Sequence, residues 1–304
     1  MKQLSKLLIA YDGSACSDAA LKDLKRAGLP AVVEAIVVTI ANVLLPPAEE
    51  VPEEEVVSPG AVAMVRHTQA HAEEAVKKAL AVAERGAHRV KTDFPDWSVR
   101  FEADGDSPAW AVIKMADSFG ADLIVVGSHG HSSAGGRLIL GSVSQRVLYD
   151  APCSVRGARC SDKRREGPIR IVVGFSGSTE SELAVAEAAS RVWPAGSEAR
   201  VVIAGDTLDP AILGVVSEKL RAAGLTTLEV NSDGDPASAL LKEAEEWGAD
   251  SIFVGTRDLH GLRHLLHGSV SAAVAARAQC SVEVARARRN VSLKPGTQRL
   301  HHVG

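Results

Sequence analysis

Two short stretches of this chain carry the residue types that hold an anion. Gly127-Ser128-His129-Gly130 follows an apolar run, and Gly141-Ser142-Val143-Ser144 opens what reads as a helix. Glycines let a backbone come close to a ligand or take positive φ. Serines at a helix N-terminus sit among unbonded amides at the positive end of the helix dipole. Together the two stretches suit a phosphate cradle. On residue types alone a glycine turn followed by a serine cap, with no ligand, stays equally open. His129 and His131, beside the glycines, are candidates for hydrogen bonds to phosphate.

Other arrangements weigh against chemistry. Gly174-Phe-Ser176-Gly-Ser178 lacks the final glycine of a nucleophile elbow. Gly136-Arg-Leu-Ile-Leu-Gly141 continues to Ser142 and so is no Walker loop. His260, His264 and His267 share helical spacing, but no cysteine or carboxylate completes a metal set around them. Asp104-Gly-Asp106 and Asp233-Gly-Asp235 lack the remaining ligands of a calcium loop and read as helix N-caps after a turn. Cys153 and Cys280 occupy matching places and read as small buried residues. No catalytic residue and no metal ligand is assigned.

The elements that position the glycine and serine stretches follow from a repeat. Lys6-Leu-Leu-Ile-Ala-Tyr-Asp-Gly-Ser14 aligns with Arg170-Ile-Val-Val-Gly-Phe-Ser-Gly-Ser178, and Gly120–Gly127 aligns with Gly248–Gly255. Between Leu138–Arg159 and Leu265–Arg286, 12 of 22 positions are identical, so the chain holds a duplicated domain. Strands are expected at Lys6–Tyr11, Ala31–Ala41, Trp97–Ala103, Leu123–Gly127 and Ser154–Gly157. Helices are expected at Ser17–Ala27, Thr68–Arg89, Ser107–Phe119 and Ser142–Tyr149. Apolar runs alternating with helical stripes predict α/β architecture: two tandem doubly wound parallel-sheet (Rossmann-like) domains. Ligands of such sheets bind at the carboxyl ends of the strands.

The expected division is domain 1 at 1–157, a linker at 158–168, domain 2 at 169–286 and a basic tail at 287–304, read as mostly disordered. The first repeat is longer, chiefly through Leu45–Gln69. Its four prolines and five glutamates there predict a long loop.

Composition narrows the partners. The 304 residues hold 34 Lys and Arg against 38 Asp and Glu, a net charge of −4, and aromatics are only 4%. That balance gives no reason to expect nucleic acid. No apolar run approaches a membrane span. With four cysteines and neither disulfide nor zinc spacing, the expected location is cytoplasmic.

Across both repeats, the strand ending in Asp-Gly-Ser, the Gly120-Ala-Asp-Leu-Ile-Val-Val-Gly-Ser-His-Gly130 stretch and the Leu-Gly-Ser-Val-Ser … Ala-Pro-Cys-Ser-Val ending resemble the universal stress proteins. The resemblance implies ATP binding, with Mg²⁺ able to accompany it, through a G-x2-G-x9-G-[S/T] pattern. It also implies an internal pseudo-dimer paired near Ser154–Gly157 and Ser281–Arg286, with a homodimer open. Carried over by position, it implies a nucleotide site at Ala10, Asp12, Ile40, Gly127, Gly130, Gly141, Ser142, Val143 and Ser144, to which His129 is added from its place beside the glycines. Ten residues, not nine, separate Gly130 from Gly141.

The second repeat has Ser176 in place of Asp12 and Asp258 in place of Gly130. A carboxylate there repels phosphate, so the second repeat is expected to be structural. The implied function is a nucleotide-binding stress sensor. A nucleotide-independent interaction scaffold and a weak ATP hydrolase are the alternatives.

Overall fold

The computed structural model describes residues 5–43, 59–128, 140–159, 167–205, 208–256, 270–289 and 301–303. The first repeat runs β1 (Lys6–Ala10), α1 (Ala15–Asp23), a 3-10 turn (Leu24–Arg26), β2 (Glu34–Ala41), α2 (Pro59–Asp93), β3 (Ser98–Gly105), α3 (Pro108–Phe119), β4 (Leu123–Gly127), α4 (Ser142–Asp150) and β5 (Ser154–Ala158). The second runs β6 (Arg170–Gly174), α5 (Thr179–Ala189), β7 (Glu198–Ala204), α6 (Pro210–Ala222), β8 (Thr226–Ser232), α7 (Pro236–Trp247), β9 (Ser251–Gly255), α8 (Val270–Arg277) and β10 (Ser281–Ala285). A short β11 (His301–Val303) follows.

All eleven strands form one sheet in the order β11-β3-β2-β1-β4-β5-β10-β9-β6-β7-β8. Pairing within each repeat is parallel, and each half has the doubly wound order 3-2-1-4-5. The halves join through one antiparallel pair, β5 with β10, in the register Val282↔Gly157, Glu283↔Arg156 and Val284↔Val155. The α/β class and the parallel sheets expected from the repeat are present, and the joining strands are those the resemblance implied.

The core follows strand alternation. Along β1, Leu7 and Ile9 point into a cluster with α1 and α2, while Leu8 points into another with α3 and α4. All three are fully buried, each side chain contributing about 1.5–3 kcal/mol of burial. The α3–α4 cluster continues without a break into α7 and α8 of the other half.

Three expectations need correcting. Leu45–Gln69 is not one loop, because α2 begins at Pro59 and runs 35 residues. A proline in the first turn costs nothing, since its missing N–H would have no intrahelical partner. The tail is not without structure: β11 adds antiparallel to the exposed edge of β3, His301 opposite Asp104. Of the two Asp-Gly-Asp turns, only the second caps a helix, Asp235 accepting from the Ser238 amide at 2.9 Å. Asp106 instead pairs with Lys114 at 2.7 Å, and Ser107 takes the N-cap position without a side-chain bond.

Candidate functional site

Strand order reverses at β1, which pairs with β2 on one side and β4 on the other. The chain leaves β1 toward α1 on one face, and beyond β4 it enters α4 on the opposite face. A crevice opens where such connections diverge. Ala10 ends β1 and lies beside both Val38 and Val126. Ile40, two residues further along β2, faces the same layer as Ala10, Leu140 and Val143. These apolar groups are partly buried and form the floor of the α4 side.

The other wall is the turn after β1. The Asp12 carboxylate accepts from the Ser14 amide at 3.0 Å, and the Ser14 hydroxyl caps α1 by accepting from the Ser17 amide at 3.1 Å. Thr39 donates to the Tyr11 carbonyl at 2.6 Å and ties this turn to β2. Tyr11 donates to Asp18 at 2.5 Å, and Arg89 of α2 forms an ion pair with the same carboxylate. Burial, with the Asp18 carboxylate beside it, pushes the Tyr11 phenol up to about 12. Burial alone would raise Asp18, but the hydrogen bonds from Arg89 and Tyr11 outweigh it and hold the carboxyl below its usual range. The long helix is thereby fastened to the turn that carries Asp12.

On the β4 side, the Gly141 amide donates to the Ser128 carbonyl at 2.8 Å, and the Ser144 hydroxyl donates to the Gly127 carbonyl at 2.6 Å. These bonds hold the start of α4 against the end of β4. Gly141 is the N-cap residue and supplies no side-chain cap. The first-turn amides of Ser142, Val143 and Ser144 have no acceptor among the described residues. By contrast α1, α5, α6 and α7 are all capped by a serine or aspartate side chain.

Of the ten candidate residues, Ala10, Asp12, Ile40, Gly127, Gly141, Ser142, Val143 and Ser144 therefore gather at the carboxyl ends of β1, β2 and β4. His129 and Gly130 lie outside the described residues, as do His131, Asp258 and the His260, His264, His267 set. Gly127 does not have the role its type suggested. Its φ is not positive, and a Cβ there would meet the backbone of Cys16 and Ser17 at 3.1–3.2 Å. Its missing side chain makes room for α1.

Ser14, Ser128 and Thr39 were not singled out from sequence. The repeat carried a signal for Ser14, since Ser14-x-x-Ser17 matches Ser178-x-x-Ser181, where Ser178 caps α5. Among the described residues no cluster of His, Cys, Asp and Glu is placed to hold a metal. Burial pushes the thiols of both Cys153 and Cys280 up to about 12.

The universal stress protein family model matches residues 4–156 and 197–286, which is most of the chain and falls in both repeats. The chain belongs to the universal stress protein family. This universal stress protein is 26% identical over 301 residues to one from Mycolicibacterium smegmatis, covering 93% of this chain and 97% of that one. A universal stress protein of Mycobacterium tuberculosis is 33% identical over 200 residues, 59% of this chain and 66% of the relative. The match to a Bacillus subtilis universal stress protein spans only about half of that relative, 51%, at 35% identity. Among solved structures, a universal stress protein from Archaeoglobus fulgidus superposes with a TM-score of 0.67, covering 94% of this chain and 99% of that one at 24% identity. It supports the fold.

Proposed function

We propose that the first repeat binds an adenine nucleotide, ATP in the first instance, in the crevice between β1 and β4, and that the second repeat is its structural counterpart. The observation that carries this reading is that Asp12 follows β1 while the first turn of α4, whose amides have no acceptor among the described residues, is held against the end of the neighbouring β4. An anionic phosphate group would take the amides of Ser142, Val143 and Ser144, where the helix dipole favours it. Asp12 would accept from ribose hydroxyls, and the apolar floor of Ala10, Ile40 and Val143 would lie under the base. His129 and Gly130 belong to the same proposed site.

The second repeat lacks the carboxylate: Ser176 donates toward Ser178 at 3.3 Å within its own turn. The division into 1–157, 158–168, 169–286 and 287–304 belongs to this reading. Occupancy would then alter the surface around α4 and α2 that protein partners read, as in a sensor in the cytoplasm. This reading assigns binding rather than turnover. Mg²⁺, if it accompanies ATP, would be held through the phosphates.

Calorimetric titration with ATP, ADP and AMP tests the assignment. Asp12→Ala is expected to weaken binding about tenfold, the scale of one hydrogen bond to a charged group. Equal affinity in wild type and Asp12→Ala would move the nucleotide elsewhere. No binding of any of the three at millimolar concentration would leave the scaffold reading in its place.

A further inference from the structure

The two repeats are related by an approximate two-fold through the β5–β10 pair, and one feature of that relation is broken. In the second repeat Arg286 follows β10. Its guanidinium donates to the carbonyls of Leu148 at 2.6 Å, Ala151 at 2.7 Å and Tyr149 at 3.2 Å. Two residues on, Arg288 lies across Gly120 and Ala121 and donates to the Ala121 carbonyl at 2.9 Å. That side of the two-fold is filled.

Arg159 is the counterpart of Arg286 in the aligned block. It is 95% buried, at 5% exposure, yet Nη2 donates only to the Ala275 carbonyl at 2.5 Å and Nη1 has no hydrogen-bond partner. No carboxylate pairs with it among the described residues. Two residues on, the sequence has Ser161 where the other repeat has Arg288. Beside Gly248 and Ala249, the counterparts of Gly120 and Ala121, there is a cavity of about 810 Å³ lined by Arg159.

A guanidinium cannot shed its proton at any pH the fold survives. A buried charge left without a counter-charge costs several kcal/mol. Two carboxylates also line the cavity away from its rim, and both are already engaged. Asp23 accepts from Arg156 at 2.7 Å and Ser281 at 2.9 Å. Asp250 holds the Arg26 fork at 2.8 and 3.1 Å and the Arg170 amide at 2.9 Å. Arg277 is exposed at the mouth, as is Glu245. Among the described residues the cation lacking a counter-charge is thus the deep one, and the space beside it is of small-molecule size.

We infer that this cavity between the repeats is a second ligand site, for a small oxyanion of the phosphate or carboxylate class, held by the free Nη1 of Arg159 with Arg277 at the entrance. It is separate from the nucleotide crevice, since it lies at the start of β9 and β10 and not at the carboxyl ends of β1 and β4. Because Asp23 and Arg26 come from the first repeat and Arg277 and Ser281 from the second, an occupant would bridge the halves.

Thermal melting of the full chain in sodium phosphate, sodium acetate and sodium chloride at matched ionic strength tests it. A ligand of the native state raises the midpoint with its concentration. Phosphate or acetate is expected to raise it beyond chloride, and the larger response identifies the class. Arg159→Met removes the charge while keeping the bulk. It is expected to melt no lower in chloride and to weaken the anion response about tenfold or more.

An undiminished response in Arg159→Met, or no response beyond chloride in wild type, would overturn the site. Anomalous diffraction from wild-type crystals soaked in selenate keeps the test open should that variant fail to fold. A peak within hydrogen-bond distance of Arg159 is the expected result. A peak only at the first turn of α4 would assign the response to the nucleotide crevice and contradict the proposal.

Discussion

At the scale of single residues, the first repeat is organised around groups whose protonation the fold controls. Tyr11 ties β1 to α1 and α2 through Asp18, and its phenol is raised from 10.0 to about 12. A raised value means the fold favours the protonated phenol, so this contribution is complete below pH 10 and falls away through about pH 12. Urea midpoints measured across that range should drop more steeply in wild type than in Tyr11→Phe, and parallel curves would deny the link. The thiols of Cys153 and Cys280, raised by burial to about 12, remain protonated at pH 8.5. Since the thiolate is the nucleophile, iodoacetamide should label neither in the native protein within minutes, and both after denaturation. Rapid native labelling, read by peptide mass, would contradict the burial of Cys153 or, at the half-buried Cys280, its raised thiol.

At the scale of elements, much was legible because the repeat doubled every signal. The runs Leu7–Ala10 and Leu123–Val126 are continuous and apolar, as strands covered on both faces must be, and β1 and β4 stand there. The start of α2 was not legible, because Pro59-Gly60 reads as loop and the first described side chains of the helix, Met64, Arg66 and His67, are exposed and give no buried stripe. Nor was β11, which pairs with a sheet edge supplied by β3, remote in sequence. The eight described candidate residues lie together at the carboxyl ends of β1, β2 and β4. The purpose of Gly127 was not readable, since only the packed structure shows α1 lying against it. Its counterpart Gly255 is tighter still, for a Cβ there would fall inside the Glu180 carbonyl. Gly255→Ala should therefore cost stability at the upper end of about 1–3 kcal/mol, and Gly127→Ala less. Denaturant melts of the two variants compare them directly, and the reverse order would refute this packing account.

At the scale of the whole molecule, two similar halves are joined by a buried ionic seam that tells them apart. Arg156 of β5 lies opposite Glu283 of β10, at 3.4 Å, and also donates to Asp23 at 2.7 Å. Glu283 pairs with Arg191 as well. Removing Glu283 leaves two buried guanidiniums short of a partner, so Glu283→Ala should cost about 3–5 kcal/mol, with a smaller coupled loss in the Arg156→Met, Glu283→Met pair. Two copies of β5 paired in this register would set Arg156 against Arg156, so the seam favours first repeat on second. That asymmetry extends to the turns after the first strand of each half, where Asp12 stands in one and Ser176 in its place in the other. The most direct test is the number of nucleotides bound per chain, measured by calorimetry with native mass spectrometry as a second count. One adenine nucleotide per chain, weakened by Asp12→Ala and unaffected by Ser176→Ala, is the predicted result. Two per chain, or one whose affinity depends on Ser176 and not on Asp12, would contradict it.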